Sequence, residues 1–474
     1  MTTTPSQDLS ATSYDVRIWS IRTYTGKTRT SHTVGWRVGP RRHQRTFATR
    51  ALADSFRADL IAGSRRGVPF DPATGLPTTA GDRAAARTWF AHAVAYVDAT
   101  WPHVSPRHRQ STAEALTTLT MALVTSTTGA PPAPQVRRAL YGWAFNTSTR
   151  RHHEPDQSGR AVLNWITDAS VPLSCLREAT GLHTALNAIA TNLDGSPSAA
   201  STTRRKRATF HHALGYAVEL DLFDLNPLDR IRHHPAPPAT ALDPRVVVNP
   251  TQTRALLDTV GDIAPPLEGF FACLYYAGLR PAEARNLHRR DRDLPEHGWG
   301  QLLLTGSRQT TGTAWTDTAA TDQTRPLKHR PAGQTRLVPA HPDLVAVLHR
   351  HLARFGTGTD GLLFVTRTAR GGQPLAAPYC HPVSMSTIYR IWHLARTHAL
   401  TDDAAKSPLA RRPYDLRHAC LSTWLATGIP AAQVAAWAGN GIGVLLAVYA
   451  HCIHGQDQTN LRRIETVIPP KDTA

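Results

Sequence analysis

The chain has 474 residues, enough for two or three domains, and its 41% hydrophobic and 19% charged content excludes global disorder. A formal net charge of +18 disfavours an enzyme of small neutral substrates and favours a polyanionic partner, most often nucleic acid.

From the N-terminus, Val16 to Ile21 and Thr33 to Val38 alternate with strand period, and a third short run lies around His43 to Ala48. Thr49 is placed to cap a helix on which Leu52, Phe56 and Leu60 recur at helical spacing. Arginines beside Trp19, Tyr24 and Trp36 suit contact with a DNA groove; a half-buried sheet would explain the tryptophans as well. After a loop from Asp71 to Gly81, the chain is expected to be helical from residue 83 to 233. One apolar stripe is Trp89, Phe90, Val94 and Val97, and another is Ala115, Leu116, Leu119 and Leu123. Gly129 to Pro134 breaks the pattern, which restarts near Gln135. Ser201, Thr202 and Thr203 open a further helix, with Phe210, Leu214 and Val218 on its apolar side. The run Arg204-Arg205-Lys206-Arg207 on this capped helix can follow a phosphate backbone or form a solvated first turn.

His233 to Thr240 has the composition of a linker, and Asn249 followed by Pro250 starts a third domain. Phe270 to Ala277 is an apolar helix stopped by Gly278, and Pro281 suits the first turn of the next. Arg280 is therefore pinned in a short turn, with Glu283 near enough to pair with it or buttress it. Gly300 to Leu304 and Thr335 to Pro339 are expected as two strands, with Ser307 to Thr324 as a loop insertion. Lys328 lies just before the turn Arg330 to Gly333. It is one of only five lysines in an arginine-dominated chain, and lysine, unlike arginine, can give up a proton near a phosphate. Tyr414-Asp415-Leu416-Arg417 begins a helix ending at Gly428; Pro430 starts the next, which Gly439 closes before Asn440. Leu445, Leu446, Val448 and Tyr449 occupy a last short helix, where a tyrosine commonly sits in the core with its hydroxyl paired.

The five cysteines, Cys175, Cys273, Cys380, Cys420 and Cys452, lack CxxC or ligand spacing, which fits reduced thiols and gives no support for zinc. Residues 1 to 8 lack an apolar signal core, and no apolar run approaches the ~18 residues of a membrane span, so a cytoplasmic protein is expected.

Gly278-Leu279-Arg280-Pro281-Ala282-Glu283, Lys328, Tyr414-Asp415-Leu416-Arg417-His418 and Tyr449-Ala450-His451 resemble, in order and spacing, the tyrosine recombinase (phage integrase) family. The resemblance extends to Tyr216 to Glu219 and Asn226 to Leu228, in what looks like the helical core-binding domain. It implies a multidomain, mainly α fold with small β-sheets. An arm-type DNA-binding domain would span residues 1–75, a helical core-binding (SAM-like) domain 83–233, and a mixed α+β catalytic domain 243–474.

By the same resemblance, Arg280 and Arg417 would bind the scissile phosphate and Tyr449 would attack phosphorus to give a 3′-phosphotyrosyl link. Lys328 would protonate the leaving 5′-oxygen, and no cofactor or metal would be required. Tyr414 and Asn440 stand where the family usually has histidine and histidine or tryptophan, which would slow or rebalance proton transfer. His418 would be a packing or supporting residue rather than the general base. The implied partners are double-stranded attachment-site DNA, three further copies in a tetramer whose tail helix near Gly455 to Ile464 docks on a neighbour, and a directionality factor or host DNA-bending protein. The implied activity is integration or excision of a phage or mobile element. A catalytically silent DNA-binding accessory protein and a type IB topoisomerase are the alternatives.

Overall fold

Strand alternation builds the first element. In the computed structural model, β1 (Val16–Ile18), β2 (Arg22–Thr25), β3 (Thr30–Val38) and β4 (Arg41–Phe47) form an antiparallel sheet in which β3 pairs with the other three. Residues 12–26, 30–78, 80–232, 242–318, 321–328, 330–331, 333–369, 371–449, 461–462 and 465–466 are described. The inner positions Val34, Trp36 and Val38 are buried with Ala53 and Leu60 of the helix Arg50–Arg65, whose first turn is capped by Thr49. Trp36 is thus a core residue, whereas Tyr24 is 72% exposed. The strand Arg22–Thr25 is not foreshadowed in sequence because all four of its residues are exposed and carry no alternation.

The chain divides into two compact units, Met1–Pro238 and Ala239–Ala474. The first two expected domains fall in the first unit and the third falls in the second. Beyond the sheet, the first unit is helical. Trp89, Leu116, Leu119, Phe210 and Leu214 are fully buried on the helices Trp89–Thr100, Pro106–Ala122 and Ala200–Glu219. The indole of Trp89 donates to the Thr120 hydroxyl at 3.0 Å, which satisfies its one polar atom in the core.

The structure corrects the reading of the cation run. The helix starts at Ala200 without a side-chain cap, so Arg204 to Arg207 lie beyond its first turn. Arg205 donates to Glu114 at 2.8 Å, and the buried Lys206 ammonium lies 3.5 Å from the same carboxylate and 3.2 Å from the Thr118 hydroxyl. Two of the four cations are therefore used to join two helices.

In the second unit, Asn249 and Gln252 form a reciprocal capping box at the start of the helix Pro250–Ile263. That helix packs with Glu268–Tyr276, Pro342–Phe355, Met385–Ala399 and Asp415–Ala426 around a core that includes Phe270, Phe271, Leu274, Leu348 and Trp392. Phe271 stacks on Trp392 with ring centres 5.0 Å apart. The two strands expected here are β6 (Gly300–Leu304) and β9 (Arg336–Ala340), paired antiparallel, with the short β5 (Arg292–Asp293) on the other side of β6.

The stretch expected as a loop insertion is instead ordered by a hairpin of β7 (Ser307–Thr310) and β8 (Asp322–Arg325). Its anchor is Arg285, buried in the fold, which donates to Thr310 at 2.8 Å and to Asp322 at 2.7 Å. Among the described residues no single helix is long and apolar enough to cross a membrane; the helices Ala431–Ala438 and Ile442–Tyr449 pass only as a pair, and they are bent by 108°. The linker His233 to Thr240, Ala450, His451, Cys452 and most of the expected tail helix lie outside the described residues.

Candidate active site

Two turns bring the first arginine into place. The helix Glu268–Tyr276 ends before Gly278, which takes φ +58, a conformation open to glycine at no steric cost. A Cβ there would also lie a tight 3.2 Å from the Cys420 sulfur. Pro281 begins the next short helix, and the Glu283 carboxylate accepts from the backbone N–H of Arg280 at 2.9 Å. The Arg280 backbone is thus held between two helices. Its guanidinium donates to Glu283 at 2.8 Å, to the Gly439 carbonyl at 2.8 Å and to the Asn440 side-chain oxygen at 2.6 Å.

Arg417, in the first turn of the helix Asp415–Ala426, is fully buried and reaches the same place. It donates to the carbonyl of Gly278, to that of Ala438 at 2.8 Å and to Asn440 Oδ1 at 3.2 Å. Because one side-chain atom of Asn440 accepts from both guanidiniums, that atom is the oxygen, and the NH2 group is its remaining donor. The carbonyls converge because Gly439 stops the helix Ala431–Ala438 with φ +64. A Cβ on Gly439 would collide with the Arg336 guanidinium, so glycine is required by both backbone and space.

Arg336 was not singled out from sequence. It lies on the inner face of β9 and donates to both Glu283 oxygens, at 3.0 and 2.7 Å, with both side chains buried. The available signal was strand alternation: Arg336, Val338 and Ala340 share the buried face while Leu337 is exposed. Burial alone would raise the Glu283 pKa, but Arg336, Arg280 and Arg417 overcome it and hold the carboxyl at about 2. Three guanidiniums against one carboxylate leave this cluster with two net positive charges. Burial, with Arg280 beside it, lowers the Arg417 pKa from its ordinary value.

Tyr449 ends the helix Ile442–Tyr449 and is buried. Its hydroxyl is 2.6 Å from Nδ1 of His418, the residue after Arg417, and its ionised form would be felt by Arg417. Tyr414 caps the same helix, and its ring meets His418 edge-on with centres 5.0 Å apart. Burial depresses His418 to about 4; Asp415 opposes the shift while Arg412 and Arg417 add to it. The ring is therefore neutral at physiological pH.

The structure thus gathers Arg280, Arg417 and Asn440 into one hydrogen-bonded group, with Glu283 and Arg336 behind it; Tyr414 and His418 flank Arg417 on its own helix, and Tyr449 meets His418 from the end of the helix Ile442–Tyr449. Lys328 is exposed on the turn after β8, and the hydrogen bonds of the arginine group do not extend to it. No cluster of histidine, cysteine and carboxylate groups suited to a metal ion occurs among the described residues.

No family profile and no curated protein matches the sequence. The chain is similar to solved structures of tyrosine recombinases. One is the Tn1549 transposon integrase in complex with a circular intermediate DNA, at 15% identity over 66% of this chain and 96% of that one, with a TM-score of 0.45. Another is the XerH site-specific recombinase bound to its difH substrate, at 12% identity over 83% and 98%, with a TM-score of 0.42. A third is the lambda integrase tetramer bound to a Holliday junction, at 11% identity over 65% and 74%, with a TM-score of 0.36.

Proposed function

We propose that this chain is a site-specific DNA recombinase that cuts and rejoins double-stranded DNA through a covalent link to Tyr449. The observation that carries the reading is the buried cation cluster with its uncompensated positive charge, next to a tyrosine whose hydroxyl is already held. The order and spacing of Arg280, Arg417 and Tyr449 are those on which the sequence resemblance rests, while Tyr414 and Asn440 depart from the family's usual residue types. A phosphodiester brings one negative charge, and its pentavalent transition state brings two, so the mismatch is relieved most fully at the moment of reaction.

In this reading Arg280 and Arg417 bind the non-bridging oxygens, and the NH2 group of Asn440 is a third donor. Tyr449 gives up its proton to solvent as its oxygen bonds to phosphorus; the bond from phosphorus to the 5′-oxygen breaks, and the Lys328 ammonium protonates that oxygen. A 5′-hydroxyl from a second strand reverses the step, so bond energy is conserved in the phosphotyrosine. Tyr414 acts in this scheme as a hydrogen-bond donor. Residues 1–75 would bind DNA arms, 83–233 the core site and 243–474 would catalyse. Four copies would act on two attachment sites of a mobile element, with a directionality factor or host bending protein as accessory partners.

The test incubates the protein with labelled, nicked suicide duplexes from the DNA flanking its own gene, in EDTA, followed by denaturation in SDS. The expected product is a band shifted by one protein mass, absent with Tyr449→Phe. DNA binding without adduct on confirmed sites would overturn the reading and leave a silent DNA-binding protein. Supercoil relaxation without joining of two sites would point to a topoisomerase instead.

A further inference from the structure

Resting on that reading, we infer that His418 is a positioning residue for Tyr449: the imidazole Nδ1 accepts the tyrosine hydroxyl and sets where the attacking oxygen sits. The geometry is specific. His418 follows Arg417 directly on the helix Asp415–Ala426, so the group that holds the nucleophile and the group that holds the phosphate share one rigid turn. The distance is 2.6 Å across thirty-one residues of sequence, and Tyr449 is buried. Tyr414, edge-on to the ring, limits its rotation, and the ring of Tyr449 lies 5.7 Å from that of His418.

A neutral imidazole protonated at Nε2 has one acceptor, Nδ1, and that atom faces the hydroxyl. Among the described residues the groups around it are Tyr414, Asp415, Arg412, Arg417 and Tyr449; burial and the two arginines favour the neutral ring and Asp415 opposes them. A ring kept neutral this strongly holds a hydroxyl well but is a weak proton acceptor. The role is therefore orientation of the Tyr449 oxygen, which any acceptor at the same point can supply.

That distinction sets the experiment. Single-turnover cleavage of a suicide duplex is measured for wild type, Tyr449→Phe, His418→Phe, His418→Asn and His418→Gln, alongside DNA affinity. The Asn side-chain oxygen overlays Nδ1, whereas that of Gln overlays Nε2. His418→Phe is expected to cleave about 10- to 100-fold more slowly at saturating DNA with affinity unchanged, the size expected for one lost hydrogen bond to a reacting group. His418→Asn is expected to recover most of that loss and His418→Gln little. Cleavage by His418→Phe at the wild-type rate would reduce His418 to packing. Loss in Asn equal to loss in Phe would make proton transfer, not position, its role; either result overturns the inference.

A second measurement does not depend on activity. Side-chain nitrogen NMR of histidine-labelled full-length protein should include, at pH 6, a neutral-ring signal that is absent in His418→Asn and whose Nδ1 resonance moves in Tyr449→Phe. No such movement would refute the pairing. Absence of any adduct with wild type, with the NMR pairing intact, would count against the recombinase reading and against a role in cleavage, while leaving the geometry.

Discussion

Glu283→Gln tests whether the arginine cluster is held together by its one carboxylate. Glu283 is 1% exposed and lies between Arg280 and Arg336. Its carboxyl is held at about 2 against an ordinary 4.5, because burial, which would raise it, is outweighed by Arg336, Arg280 and Arg417. The folded value lies below the unfolded one, so this contribution to stability is complete above pH 4.5 and is lost as the pH falls toward 2. The difference, 4.5 − 2 or 2.5 units, corresponds to roughly 3 kcal/mol. Breaking a buried ion pair by removing one partner costs ~3–5 kcal/mol, so two independent routes agree.

The assay is amide hydrogen exchange in the full chain, read on peptides from the helix Glu268–Tyr276, which leads directly into the Arg280 turn. At neutral pH the variant should exchange about 100-fold faster there, the factor that follows from ~3 kcal/mol. After correction for intrinsic rates, wild type should approach the variant between pH 4.5 and 2. A change of less than about threefold at pH 7 would refute the argument, since the carboxylate would then contribute less than ~1 kcal/mol.

Gly439→Ala should be costly in two ways. A left-handed alanine costs ~1–2 kcal/mol, and its Cβ meets the Arg336 guanidinium, so the carbonyls that hold Arg280 and Arg417 must move. Covalent adduct formation should fall by more than about tenfold while salt-sensitive DNA binding through the rest of the chain persists, measured by adduct yield and by fluorescence anisotropy. In the first unit, His92 is fully buried and depressed to about 4 from 6.5, chiefly by burial; the Ala213 carbonyl at 2.7 Å opposes that shift and Arg87 adds to it. The unfolded chain binds the proton first, so stability is unaffected above pH 6.5 and falls by roughly 3 kcal/mol as the pH drops to 4. Exchange protection of the helix Trp89–Thr100 in wild type and His92→Gln checks this: the pH dependence should flatten in the variant.

What was legible in the sequence was local. A glycine stop at Gly278, a proline start at Pro281, and the caps Thr49 and Asn249 act within a few residues, so they announce themselves in any short window. What was not legible was decided by tertiary proximity. Arg205 and Lys206 look like a free basic run until Glu114, ninety-one residues before Arg205, is brought beside them. Ser307 to Thr324 has no apolar alternation, and its hairpin is tied to the fold by Arg285, thirty-seven residues before Asp322. Arg336 sits between these cases: its strand period was visible, but an arginine on the buried face makes sense only once Glu283 is seen opposite it.

Tyr449 shows why the plain expectation and the functional one need not compete. A helical tyrosine usually ends in the core with its hydroxyl paired, and Tyr449 does so. Its partner, however, is the residue next to Arg417, and Arg417 shares Asn440 Oδ1 with Arg280. A hydroxyl buried against an unrelated part of the core would have made the residue structural. Buried here, it is held one residue from a guanidinium whose cluster carries net positive charge, and on the proposed function the pairing that satisfies the core would also aim the oxygen.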